Sequence, residues 1–69
     1  MRFRNKIRKF KAIARLVTLG ECIKITTLVD LANEKGIYIT RQWISANMIG
    51  DFFEYIRDKK GKRVIKRIW

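Results

Sequence analysis

Residues Ile25 to Phe53, ITTLVDLANEKGIYITRQWISANMIGDFF, decide the fold. They read as two helices joined by a short apolar turn. Thr26 or Thr27 caps the first helix. Leu28, Leu31 and Ala32 then recur at i, i+3 and i+4, on one stripe facing a core. Lys35-Gly36 is a stop signal, because the residue after a helix end often takes a left-handed conformation that glycine adopts without steric penalty. Ile37 and Ile39 alternate with Tyr38 across the turn, and the Thr40 hydroxyl caps the second helix.

Leu31-Ala32, Gly36-Ile37 and Trp43-Ile44-Ser45 resemble the leucine-alanine, glycine-valine and threonine-valine-serine signposts of helix-turn-helix DNA-binding proteins. Gly36 and Ile44 lie farther apart than in the tightest versions of that motif, so the resemblance is to the looser winged-helix branch. It covers under half of the chain. What it implies is a mostly α fold with a small β-hairpin (α+β), a three-helix helix-turn-helix core with a short C-terminal wing, as one domain over residues 1–69.

Length and composition agree with one folded domain. A chain of 69 residues buries only about 60% of the surface its unfolded form exposes, so its core is thin. At 48% apolar residues it is too hydrophobic for a disordered basic tail. The formal net charge of +11 favours a polyanionic partner, either nucleic acid or an anionic membrane. The one cysteine, Cys22, has no internal disulfide partner, and without histidine the usual zinc set is missing, which points to a reducing compartment. Arginine and lysine interrupt the apolar residues of MRFRNKIRKF, so no signal-peptide core forms, and no segment approaches the roughly 20 apolar residues that span a bilayer. A cytoplasmic, nucleoid-associated protein is expected.

Along the chain, Phe3, Ile7, Phe10, Ile13, Ala14 and Val17 keep helical spacing and predict a first helix from Arg2 to Leu19, ended by Gly20. Cys22 to Ile25 is a short β-prone run, either a small strand or a loop, with Cys22 read as a small core side chain rather than a nucleophile. In the third helix Ile44, Met48, Phe52, Tyr55 and Ile56 extend the apolar spacing to Arg57, which favours one long helix tolerating Gly50. The alternative is a stop at Gly50 with Phe52 to Arg57 as a strand. Asp58 to Arg63 is a turn pivoting on Gly61. Val64 to Trp69 satisfies both periodicities, and its β-branched and aromatic residues favour a strand, with Val64 and Ile68 on one face.

Charge is distributed in blocks. Arg2, Arg4, Lys6, Arg8, Lys9, Lys11 and Arg15 hold seven cations on the first helix, and Lys59, Lys60, Lys62, Arg63, Lys66 and Arg67 hold six near the C-terminal end. All six acids lie between Glu21 and Asp58. A basic–neutral–basic order is what the winged-helix resemblance implies, with the two charged ends on phosphates and the third helix in the groove between them. On the long-helix reading Thr40, Trp43, Ala46, Asn47 and Gly50 point away from the core, and Arg41, Gln42, Trp43, Ser45 and Asn47 are the candidates for base edges. Trp43 has two readings: a core ring turned toward the first helix, or an exposed ring for stacking on a base, a sugar or a partner protein.

The function expected is that of a small basic protein binding duplex DNA, as a transcription regulator or an architectural protein. The alternative is an RNA-binding subunit of a ribonucleoprotein, such as a small ribosomal protein. A membrane anchor built on the first helix ranks last, because it would strip the domain of much of its core. No histidine, glycine-rich phosphate loop or metal cluster is present in the sequence, so an enzyme, a cofactor and a small-molecule substrate are not expected. Homodimerisation is expected from a wide apolar arc on the long third helix, which would leave Ile49, Phe53 or Trp69 as an exposed patch.

Overall fold

In the computed structural model the elements run α1 (Arg2–Ala14), β1 (Cys22–Ile23), α2 (Ile25–Glu34), α3 (Arg41–Asn47), β2 (Phe53–Arg57) and β3 (Arg63–Arg67). The structure describes the backbone of residues 2–69 and the side chains of residues 8–69. Phe3 and Ile7 of the expected stripe, and Arg2, Arg4 and Lys6 of the basic face, therefore lie outside the described side chains. The α+β class is as expected. The sheet is antiparallel with the order β1-β3-β2, so both short runs flanking the helices pair with the last strand.

The turn between α2 and α3 is held by local chemistry at both ends. The Ile37 amide reaches back to the Ala32 carbonyl (2.8 Å) and the Gly36 amide to the Asn33 carbonyl (3.0 Å), a Schellman closure that requires the left-handed φ of 81° at Gly36. Thr40 Oγ1 accepts the Trp43 amide at 3.1 Å and starts α3. Between them Ile39 is buried, and Leu28, Ala32 and Ile44 from the two helices are fully so. The start of α2 differs from expectation. Its N-cap is Lys24, with no side-chain cap, and the two threonines lie inside the first turn. Only Lys24 separates β1 from the helix, whose first residue, Ile25, is half-buried against the core.

Two helix ends also need correction. α1 stops at Ala14, not Leu19: the Arg15 amide makes a last bond to the Lys11 carbonyl, and those of Leu16 and Val17 bond three residues back, to Ile13 and Ala14, and tighten the chain into a turn. Ile13, Ala14 and Val17 are all buried by that turn, so the spacing that suggested a longer helix is satisfied without one. α3 is 7 residues long and ends at Asn47, with Met48 as its C-cap, and the chain then reverses through Gly50 at a φ of 102°. The amides of Phe52 and Phe53 both bond the Met48 carbonyl, and the Gly50 amide donates to the Phe53 carbonyl at 2.7 Å. The stop at Gly50 is thus the outcome, and Phe53 to Arg57 is a strand. Phe53, expected on an exposed patch, is fully buried, while Ile49 is half-buried and Trp69 is 39% exposed. The wide apolar arc expected on a long third helix is therefore not formed.

On the sheet, Tyr55 pairs with Ile65 and Arg57 with Arg63. Strand alternation puts Phe53, Tyr55 and Arg57 on the face that looks at the helices, together with Ile65, Arg63 and Arg67 of β3. Ile65, rather than Val64 and Ile68, carries β3 into the core cluster, and Ile68 is exposed. Cys22 is exposed opposite Lys66, which corrects its reading as a core side chain. Asp58 closes the β2–β3 turn, one carboxylate oxygen accepting the amides of Lys60 and Lys62 at 2.9 Å each. Among the described residues no helix is long and apolar enough to cross a membrane.

Two substitutions test this frame. Thr40→Ala removes the α3 cap and is expected to cost about 1 kcal/mol in a urea melt. Gly36→Val is expected to cost roughly 1 to 2 kcal/mol. A Cβ there meets nothing within 4 Å, so the loss is backbone strain alone. An unchanged midpoint for both variants would mean that the turn is not built from these two contacts.

Candidate nucleic-acid interface

With α3 only 7 residues long, few of its side chains are free. Ile44 is fully buried, and Trp43 and Asn47 are half-buried on the side facing α1. The Trp43 ring lies 5.4 Å from that of Phe10 with Lys9 Nζ 4.6 Å from its centroid, and Asn47 Nδ2 donates to the Trp43 carbonyl at 2.9 Å. Trp43 is turned toward the first helix, as in the first of its two readings, but is half-buried against the core rather than within it. Arg41, Gln42, Ser45 and Ala46 remain exposed.

Those four side chains form one wall of an open groove of about 600 Å³ whose other walls are Ile25, Tyr55 and Arg63. Strand alternation aims Tyr55 at α3, where its hydroxyl hydrogen-bonds the Ser45 hydroxyl. Arg63, two residues before the Tyr55 partner Ile65 on β3, lies diagonally across, its guanidinium carbon 5.0 Å from the Tyr55 ring centroid. Both elements thus contribute an arginine to the groove, Arg41 from the helix and Arg63 from the hairpin, and its other lining residues are neutral or apolar.

A second, smaller depression of about 330 Å³ is lined by Lys24, Asp58, Lys59, Lys60 and Lys62. It adjoins the first through two peptide bonds, Lys24-Ile25 and Lys62-Arg63. Four lysines surround one carboxylate whose Oδ1 is already engaged by two backbone amides. A run of six cations, Arg41, Arg63, Lys24, Lys62, Lys59 and Lys60, therefore follows the groove from α3 to the tip of the hairpin.

Sequence reasoning missed Lys24, Ile25 and Tyr55. Lys24 and Ile25 reach the groove only because α2 starts beside the hairpin, and Tyr55 had been counted along a helical stripe. Strand alternation on the alternative reading of Phe52 to Arg57 was the one signal that could have placed Tyr55.

The remaining expected cations go elsewhere. Lys9 covers Trp43, and Lys11 Nζ stands 5.5 Å from the Trp69 ring centroid. Arg8 is exposed on α1. Lys66 pairs with Glu54 and Cys22 on the sheet face turned away from the helices. Arg67 is an internal tie: Nη1 donates to the Val17 carbonyl and Nε to the Trp69 carbonyl, both at 2.8 Å. Among the described residues no group of three or more histidine, cysteine, aspartate or glutamate side chains could hold a metal ion. Comparison of the chain with protein-family models, with curated proteins and with solved structures finds no match.

The two kinds of cation separate experimentally. Arg67→Gln breaks charge-assisted bonds to two carbonyls and is expected to lower stability by roughly 2 to 3 kcal/mol in a urea melt, while Lys62→Gln leaves the midpoint within about 0.5 kcal/mol. Equal midpoints for the two variants would deny Arg67 its role as a tie.

Proposed function

We propose that this chain is a small duplex-DNA-binding protein of the winged helix-turn-helix kind, with α3 as the helix that enters the major groove and the β2–β3 hairpin as the wing beside it. The element order, with two capped helices followed by a hairpin whose second strand also pairs with β1, supports that reading. The observation that carries it is the groove shared by the exposed side of α3 and the hairpin, with Arg41 on the one and Arg63 on the other and the Lys24, Lys59, Lys60 and Lys62 cluster continuing from it. Such cations displace the counterions of a phosphate backbone and supply affinity without sequence information, whereas Gln42 and Ser45 are neutral hydrogen-bonding groups suited to base edges.

Duplex DNA is favoured over duplex RNA because a short helix projecting exposed side chains needs a wide major groove. The A-form major groove is too narrow to admit it. Arg8, Lys9 and Lys11 of α1 belong to the proposed phosphate-binding set only so far as α1 meets the same duplex. Trp43 acts from behind, packing α3 on Phe10 of α1, while Asn47 bonds the Trp43 carbonyl within α3. A preference for one sequence would mark a regulator, and none a DNA-coating protein of the nucleoid.

Anisotropy titrations of a mixed 25-base-pair duplex pool and of a structured RNA, each at several salt concentrations, test the proposal. Tighter binding to the duplex is expected, with log affinity falling linearly against log salt. Neutralising Lys59, Lys60, Lys62 and Arg63 together is expected to flatten that slope by up to about four units. An unchanged slope would take the hairpin out of the interface, and tighter binding of RNA would transfer the module to a ribonucleoprotein.

A further inference from the structure

The hydroxyl groups of Ser45 and Tyr55 meet inside the groove, one on α3 and one on β2. Two hydroxyls that bond each other use one O–H between them and keep the other. Whichever donates internally, one O–H donor is left over, and its direction is set by the partner. Both residues are exposed, so that donor is accessible from the groove. The Tyr55 ring cannot swing freely, because the Arg63 guanidinium lies over it and its strand is paired along its length with β3.

What surrounds the pair narrows the ligand. Ala46 and Ile25 line the same groove as the hydroxyls and present methyl and methylene surface to it. Arg41 and Arg63 line it too and are the stronger partners for phosphate oxygens, which leaves the neutral residues to an uncharged group. A thymine edge in the major groove offers an acceptor, O4, beside an apolar C5-methyl. Cytosine places an amino group there and has no methyl.

Resting on the reading of the groove as a DNA interface, we infer that the Ser45–Tyr55 hydroxyl pair is the point at which the chain reads base identity, donating to thymine O4 while Ala46 and Ile25 take up the C5-methyl. Tyr55 is then a specificity-determining residue on the hairpin, acting together with Ser45 on the helix, and the two elements read one base as a unit. A contact of this type changes discrimination among sequences. It does not change the salt dependence, because no phosphate is involved.

The test is selection from a random duplex pool with the full chain, Ser45→Ala, Tyr55→Phe and the double variant. The parent is expected to enrich thymine at one position. Each single variant flattens the preference there, and the double variant does no more than either, because either change leaves the remaining hydroxyl unaimed. Replacing that thymine by deoxyuridine, which keeps O4 and removes the methyl, is expected to weaken the parent's binding by about fivefold at an unchanged salt slope. Neither substitution touches the core, and matching melting curves confirm that the variants fold. Enrichment without thymine, or thymine enrichment that both single variants retain, overturns the assignment. Salt-dependent binding with no enrichment overturns it too and leaves the DNA interface standing. Failure of the parent to bind any duplex removes the interface itself.

Discussion

The burial of Phe53 is the constraint on which the architecture turns. To bring that ring to full burial directly after Met48, the chain must leave the helix, reverse at Gly50 and start a strand, and the bonds from Phe52 and Phe53 to the Met48 carbonyl close that reversal. Everything downstream inherits its phase from this residue. With Phe53 pointing inward, Tyr55 points inward too, two residues on, but beyond the core, where it meets α3. A strand one residue out of register would aim Glu54 at the helices and put an acid in the middle of the candidate site. A helix continued to Arg57 would abolish the hairpin. Position 53 thus determines both the length of the exposed helix and what stands opposite it.

How much of this could be read in advance depended on how local the deciding contact is. Thr40 and Gly36 were legible because a hydroxyl three residues from an amide and a left-handed glycine act within one turn of chain. The end of α3 was not. Ile44, Met48, Phe52 and Ile56 satisfy a helical period while Phe53 and Tyr55 satisfy a strand period, and the choice is made by pairing with Arg63–Arg67, which no window on residues 44–57 contains. The same holds for α1, where Val17 reaches the core from a tight turn as well as from a helix. In the site, Arg41, Gln42 and Ser45 followed from their place on α3. Trp43 and Asn47 are half-buried, Trp43 against Phe10, and Tyr55, Ile25 and Lys24 came only with the tertiary arrangement.

The cations do two different jobs, and sequence position does not separate them. Phe10 lies between Trp43 and Phe52, with ring centroids 5.4 and 5.5 Å away, and Trp69 is edge-on to Phe52 at 5.4 Å. Lys9, Lys11 and Arg67 lie against the two tryptophans of this row. Rings this exposed gain from a cation on their face, and the long aliphatic stems shield apolar surface that a thin core cannot enclose. The row ties α1 to α3 and to the C-terminal segment. It also weighs against α1 as a membrane anchor, since Ile13 and Ala14 are fully buried in the domain core and withdrawing them into lipid would open it.

A net charge of +11 attracts polyanions whether or not the chain is folded. Since the unfolded chain carries the same cations, any polyanion would stabilise the native state only by the difference between its affinities for the two states. What folding adds is therefore arrangement. It withdraws Arg67 into a tie between the sheet and the turn after α1, turns Lys66 to the far face, and brings Lys24 beside hairpin lysines more than thirty residues away in the chain. It brings two arginines, one from α3 and one from the hairpin, to a groove otherwise lined by neutral or apolar residues. Hydroxyl and methyl groups in such a groove contribute little to the bulk attraction, so on the proposed DNA reading their effect would be a difference between one bound sequence and another.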